Sequence, residues 1–199
     1  MPRKRKRKYK PRFYLAHTFS QRHVVRDVLM PALQKLGITC YNPFYNSDGS
    51  WRENRPEVKM ADYYELEKKM PPSEVREFIL QLKRNYIDIV TGDLDLIRKA
   101  DGIIAFTIEG SFGTCIEIFI CGGLFKWLDM IGYHLPEFMD KPVFLITPST
   151  SLKNHPWIRF AVTKTFNTID ECVKWMKRNL PRLRQRLEER RRKLERNAR

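Results

Sequence analysis

Two stretches constrain this chain more than any others: "DGIIAFTI" at 101–108 and "KPVFLITP" at 141–148. Each is an almost unbroken apolar run of strand length, without the polar alternation of a strand that has one wet face. Strands of this kind are buried on both sides, as in a parallel sheet covered by helices. The rest of the chain supplies the complement. "RFYLAHTF" (12–19) and "ITCYNP" (38–43) read as further strands, and "TKTFNT" (163–168) as a weaker one. Helical periods fall between them. Val24, Val25, Val28, Leu29, Ala32, Leu33 and Leu36 share one face behind a Ser20 cap, with Pro31 predicting a kink or break and Gly37 ending the helix. A second helix is expected from Ser73 to Tyr86, with Val75, Phe78, Ile79 and Leu82 inward. A separate short one is expected after a Thr91 cap, and another from Ile169 onward. Alternating strands and helices predict an α/β fold: an open, mainly five-stranded parallel sheet of flavodoxin-like type, with helices on both faces. In such sheets ligands bind beyond the carboxyl ends of the strands. That rule directs attention to loops at 16–22, 42–50, 91–95, 107–114 and 147–157.

The net charge of +15 is unevenly divided. Residues 1–12 carry eight Lys or Arg and no acid, and residues 177–199 carry eleven against three Glu. The body between them has 19 basic and 20 acidic residues, so it is nearly neutral. The expected organisation is a disordered basic arm at 1–11, an α/β domain at 12–176 and a basic helical tail at 177–199. The tail would dock at its start and run into solvent, with Leu183, Leu187 and Leu194 on a helical period. The charged ends suit nonspecific nucleic-acid contact, and equally suit charge display for solubility. No run approaches the roughly 18 apolar residues of a membrane span, and the basic N-terminus lacks the apolar core of a secretory signal. Cys40, Cys115, Cys121 and Cys172 have no metal-ligand or CxxC spacing, so reduced thiols and a cytoplasmic location are expected, with no metal and no cofactor. A nuclear or nucleoid association through the charged ends is compatible with this.

The chemistry concentrates in "GSFGTCIEIFIC" (110–121), where a strand gives way to a helix and Glu117 sits among apolar neighbours. One reading is local: Thr114-x-x-Glu117 forms a capping box, with Glu117 in the first turn. The other is catalytic. An ionised, poorly hydrated carboxylate near the positive end of a helix is suited to attack an electron-poor carbon, as in retaining glycosidases. Ser111 and the helix amides would take an anion, and Gly113 would let a ligand come close to the backbone. A second acid is needed to protonate a leaving group. "TGDLDLIRKAD" supplies Asp93 and Asp95, which read equally as acids at a helix start; Asp101 reads as a turn residue before the strand.

These residues resemble the nucleoside 2-deoxyribosyltransferase family and its relatives, the 2-deoxynucleoside 5-monophosphate N-glycosidases. The similarity spans most of 12–147. It lies in "FYLAHTFSQR", a D-x-x-x-I-x-x-x-D pattern in "DLDLIRKAD", "ADGIIAF", "SFGTCIE" and "KPVFLI". The resemblance implies that Glu117 is the nucleophile and Asp93 the proton donor to the base. It further implies that His17, Thr18, Phe19, Arg22, Asp95, Ser111, Gly113 and Thr114 surround the substrate, a deoxynucleoside or deoxynucleotide together with a nucleobase. It also implies a homo-oligomer. Ser111, where the transferases tend to carry Asp, favours a 5-monophosphate. There are departures. The family's strand-1 tyrosine aligns with Phe13, leaving Tyr14 on the opposite face. Phe119 brings bulk where the family has glycine, and the first loop has Ala16-His17-Thr18 in place of its usual glycine. Phe19, Tyr41, Phe44, Tyr45 and Trp51 are candidates to stack on a base, and Asn154-His155-Pro156-Trp157 to close a site. The alternatives from another class are a nucleic-acid-associated or nucleotide-sensing binding protein on the same fold. Ordinary NAD binding is disfavoured by the missing glycine fingerprint.

Overall fold

The computed structural model describes residues 9–52, 71–133 and 141–197. Five strands form one sheet: β1 (Arg12–His17), β2 (Thr39–Tyr41), β3 (Gly102–Phe106), β4 (Val143–Ile146) and β5 (Lys164–Phe166). Their order is β2-β1-β3-β4-β5, and every pairing is parallel. The order reverses direction between β1 and β3, the topological switch point of a flavodoxin-like sheet.

Helices cover both faces. On one, Phe13, Leu15, Ile104, Phe106, Phe144 and Ile146 pack against α1 (22–35) and α6 (Ile169–Asn197). On the other, Tyr14, Ala16, Ile103, Ala105, Val143 and Leu145 meet α2 (Pro72–Lys99), α3 (112–130) and α5 (Pro156–Ala161). The short α4 (Thr150–Asn154) leads into α5. All five residues of β3 and all four of β4 are buried, which is why their sequences are apolar throughout.

Several elements differ from expectation. Ser20 does not cap α1: it lies in a 3-10 turn, Phe19–Gln21, entered from Thr18, and its hydroxyl meets Thr18 Oγ1 at 2.9 Å. Pro31 does not break α1. The chain widens into a π segment, Val25–Leu29, just before it, absorbing the missing N–H without ending the helix. Gly37 closes α1 with a φ of 75°.

The two helices expected around Thr91 are one. Helix α2 runs without interruption from Pro72 to Lys99. Thr91 lies inside it and donates its hydroxyl to Ile87 O at 2.7 Å instead of capping a new start. The expected loop at 91–95 is therefore helical. The side chains of Val75, Phe78, Ile79 and Leu82, residues 1–8 of the arm and residues 53–70 of the polar excursion lie outside the described residues.

Helix α6 docks further than its charge suggests. Cys172, Met176, Leu180, Leu183 and Leu187 are buried, and Arg184 Nη2 donates to Leu36 O at 2.7 Å. Each buried leucine contributes about 1.5–3 kcal/mol.

Phe119 fits because the chain provides space beside it. A second π segment, Ile120–Leu124, puts Gly122 and Gly123 against α5 and the Phe119 ring. A Cβ on Gly122 would lie 1.9 Å from Ala161 O, so only glycine permits this approach. The Phe119 ring then packs edge-on against Trp157, with centroids 5.0 Å apart.

Candidate active site

The site begins with α3. Its N-cap is Ser111, not Thr114. Ser111 has extended backbone angles, and its Oγ accepts from Thr114 N at 3.2 Å. The same hydroxyl donates to Thr114 Oγ1 at 2.8 Å, and Thr114 is buried. Because the helix starts at Phe112, Glu117 falls in its second turn, and no acid occupies the first. The expected capping box is thus replaced by a serine cap, since the Thr114 amide already has its acceptor. Its corollary, a first-turn carboxylate held by the helix dipole, also goes: the dipole's effect fades beyond that turn.

What holds Glu117 is Tyr14. The Tyr14 hydroxyl donates to Glu117 Oε1 at 2.6 Å. Tyr14 is fully buried on the β1 face that α3 covers, whereas Glu117 keeps part of its surface in solvent. The strand-1 side chain that reaches Glu117 is thus Tyr14. Phe13 faces the other layer, where its ring packs 5.9 Å from Phe144. The residue numbers alone could not reveal this, because both faces of β1 are apolar.

Asp93 and Asp95 separate. Asp95 pairs with Arg98 at 2.8 Å and Lys99 at 2.5 Å on the solvent side of α2, and these cations hold its carboxyl below the usual range. A carboxylate committed to two neighbours on its own helix is a surface ion pair. Asp93 is partly buried and lies one helical turn before Ile97, which packs in the same layer as Tyr14 and Ile118.

The loop after β1 is tightly built. His17 is buried; its Nδ1 lies 3.0 Å from Thr18 O and its Nε2 3.4 Å from Asn42 Oδ1. Burial lowers its pKa, against the two hydrogen bonds, and both ring nitrogens are engaged within this loop. Asn42, which the sequence did not single out, is fully buried, and its Oδ1 also accepts from Phe44 N and Tyr45 N at 2.8 and 3.2 Å. Its Nδ2, like Arg22 Nε, has no acceptor among the described residues. Arg22 lies over the Phe19 ring at 3.8 Å and donates to Phe19 O at 2.8 Å. Phe19, Phe44 and Trp51 form an aromatic cluster, with Phe44 and Trp51 stacked. Tyr45 is buried against Trp51, and Tyr41 is partly buried in the Tyr14 layer. In the amide orientation that satisfies both its groups, Gln21 donates to Phe106 O at 3.0 Å and accepts from Ile108 N at 2.9 Å. It thereby ties the β1 loop to the β3 loop across the switch point.

Gly113 is exposed, and a Cβ there would meet nothing within 4 Å. Folding does not demand glycine at this position. The far side of α3 borders an apolar hollow of about 470 Å³ lined by Phe112, Ile116, Phe119, His155 and Trp157 among others. Glu117 is not in its lining, so the hollow and the carboxylate lie on different faces of one helix. Among the described residues, no group of three or more His, Cys, Asp or Glu is placed to hold a metal, and no helix is long and apolar enough to cross a membrane. Cys40 and Cys172 are pushed up to about 12 and Cys121 to about 11 by burial, which makes them inert thiols.

No protein-family model matches this chain, and no curated protein matches its sequence. Among solved structures, the 2-deoxyribosyltransferase of the psychrotolerant bacterium Bacillus psychrosaccharolyticus is similar. Its TM-score is 0.44 and its identity 19%, over 81% of this chain and 90% of its own. A likeness at that level does not establish shared chemistry.

Proposed function

We propose that this chain cleaves the N-glycosidic bond of 2-deoxynucleosides or their 5-monophosphates through a covalent glycosyl ester on Glu117. The observation that carries this reading is the 2.6 Å hydrogen bond from buried Tyr14 to Glu117 Oε1. That bond holds one carboxylate oxygen and orients the carboxyl plane, and in this reading the second oxygen is the nucleophile. In the first step that oxygen forms a bond to C1 of the deoxyribose. The C1–N bond breaks, its electron pair goes to the base, and Asp93 supplies the proton that the departing nitrogen takes up. In the second step water or another base attacks C1 and gives its proton to the Asp93 carboxylate, the ester bond breaks, and Glu117 leaves as a carboxylate. Water gives hydrolysis and a base gives transfer.

The remaining residues suit the substrate's other parts. Phe19 and Trp51, both partly exposed, offer aromatic surface for a base, with buried Phe44 packed behind them. A 5-phosphate would meet the Phe112 and Gly113 amides at the start of α3, with Arg22 in support; Ser111 and Thr114 bond to each other there, and His17 and Thr18 belong to the loop after β1. Phe112, Ile116 and Trp157 are exposed together beside the apolar hollow, and a second copy of the chain is the proposed cover for that face.

The test is chromatographic. Deoxynucleosides and their 5-monophosphates are incubated with the protein, with and without a second base, and released or exchanged base is measured. Release or exchange by the parent protein, absent from Glu117→Ala, is expected. Unchanged turnover in Glu117→Ala would remove the nucleophile assignment, and no release from any substrate would remove the function.

A further inference from the structure

We propose that the outer face of α6, continued onto the edge strand β5, binds the phosphate backbone of nucleic acid. The sequence suggested contact through charged ends in general; the structure assigns a particular rigid surface. Between Cys172 and Leu187 the chain contains no acid. Lys174, Lys177, Arg178, Arg182 and Arg186 are exposed there, while Cys172, Met176, Leu180, Leu183 and Leu187 are buried against the sheet. Four of the cations, at 174, 178, 182 and 186, follow one another four residues apart. Each step is about 6 Å along the axis, comparable with the spacing of successive phosphates on one strand. Docking fixes this ridge before any ligand arrives, so binding does not have to order the helix.

The ridge continues past the start of α6. A polar hollow of about 420 Å³ at β5 is lined by Lys153, Arg159 and Lys164, with Asn154, Thr163 and Thr165 between them. The Lys164 ammonium lies 5.9 Å from the Trp175 ring, which joins the hollow to the first turns of α6. Glu171 stands beside Lys153 and its carboxylate accepts from Asn167 N at 2.7 Å, so Lys153 is the most compensated cation of the group. Chain segment 13–176 is nearly neutral, so the field on this side is not that of a uniformly basic protein.

The chemistry favours nucleic acid over an anionic lipid surface. A helix lying in a membrane interface needs an apolar face for the bilayer, and the large apolar side chains of α6 are turned into the core. The outward positions between the cations are Pro181 and Gln185. No base-reading motif accompanies the ridge, so contact is with the backbone and insensitive to sequence.

The test uses the full chain and fluorescent mixed-sequence oligonucleotides of about twenty units, single-stranded and duplex, titrated between about 50 and 200 mM salt. The parent protein is expected to bind both, with affinity falling linearly in log salt by about 0.9 per duplex phosphate contacted. Arg178→Gln, Arg182→Gln and Arg186→Gln combined should weaken binding about tenfold or more at the lower salt and reduce the slope by about 2 to 3. These side chains are exposed and lie outside the proposed glycosidase site, so base release should be unchanged in the same variant. Absence of binding at the lower salt, or a triple variant with the parent's affinity and slope, overturns the proposal. So does tighter binding to phosphatidylserine vesicles than to either oligonucleotide.

Discussion

Two buried polar clusters flank the same sheet, and they are built differently. At the amino ends of β1, β3 and β4, the backbone N–H of Arg12 donates to Asp101 Oδ2 at 2.7 Å and its guanidinium pairs with Oδ1 at 3.2 Å. Nearby, Lys141 donates from Nζ to Ile97 O and Arg98 O at 2.7 and 3.0 Å, capping the last turn of α2. Asp101 and Lys141 are only 3% and 4% exposed. Between β1 and α3, by contrast, the fully buried Tyr14 donates to a carboxylate that remains partly open to solvent. A sealed charge with matched partners holds strands and helices together. A carboxylate that keeps part of its surface in solvent is accessible in a way the sealed pair is not. The two clusters differ in closure, since both use ordinary polar groups.

Four substitutions test that contrast. Glu117→Ala should reduce base release by about 10⁴-fold or more while leaving the thermal midpoint nearly unchanged; a large loss of stability would move Glu117 into the structural class. Asp101→Ala should do the opposite. It leaves the Arg12 cation without its buried partner and should cost about 3 kcal/mol of folding free energy, read by denaturant titration. A loss well under about 1 kcal/mol would mean that the amino-end cluster is not structural.

Tyr14→Phe keeps the ring and removes the donor. Turnover should fall about 10- to 100-fold with KM little changed, and stability should drop by only about 1 kcal/mol. A change in KM alone would show that the hydroxyl does not act through the nucleophile.

The smallest effect is a pH dependence. Burial lowers Lys141 from its usual 10.5 to about 8. Between those values the unfolded chain binds more protons than the folded one, so this group's contribution to stability rises with pH from about 8 to about 10.5. The stability of the parent protein relative to Lys141→Gln should therefore increase over that window. A difference independent of pH would mean that the ammonium is not desolvated.

Much of the architecture was legible because the sheet's needs are written locally. A strand buried on both faces must be apolar throughout, so 102–106 and 143–146 identify themselves. Glycine at 37 reads as a helix end because left-handed φ is cheap only there. Helix α2 reads as two pieces in the sequence because Thr91 resembles a cap. Within a long helix a threonine hydroxyl can instead bond back one turn, and the cost of a single glycine is small against the propagation of the rest. The extent of α6 docking was hidden by charge: cations dominate its composition, while the leucine stripe that anchors it is narrow.

By itself the sequence determined the fold class, the order of its elements and the presence of an acid in the helix after β3. Only tertiary structure decided which side of β1 faces that helix, and so that Tyr14, not Phe13, holds Glu117. It also decided that Asp95 is spent on ion pairs along its own helix. The physical reason is the same in both cases. A strand covered on both faces carries no alternation to mark them, and a helix's rotation about its axis is set by what it packs against.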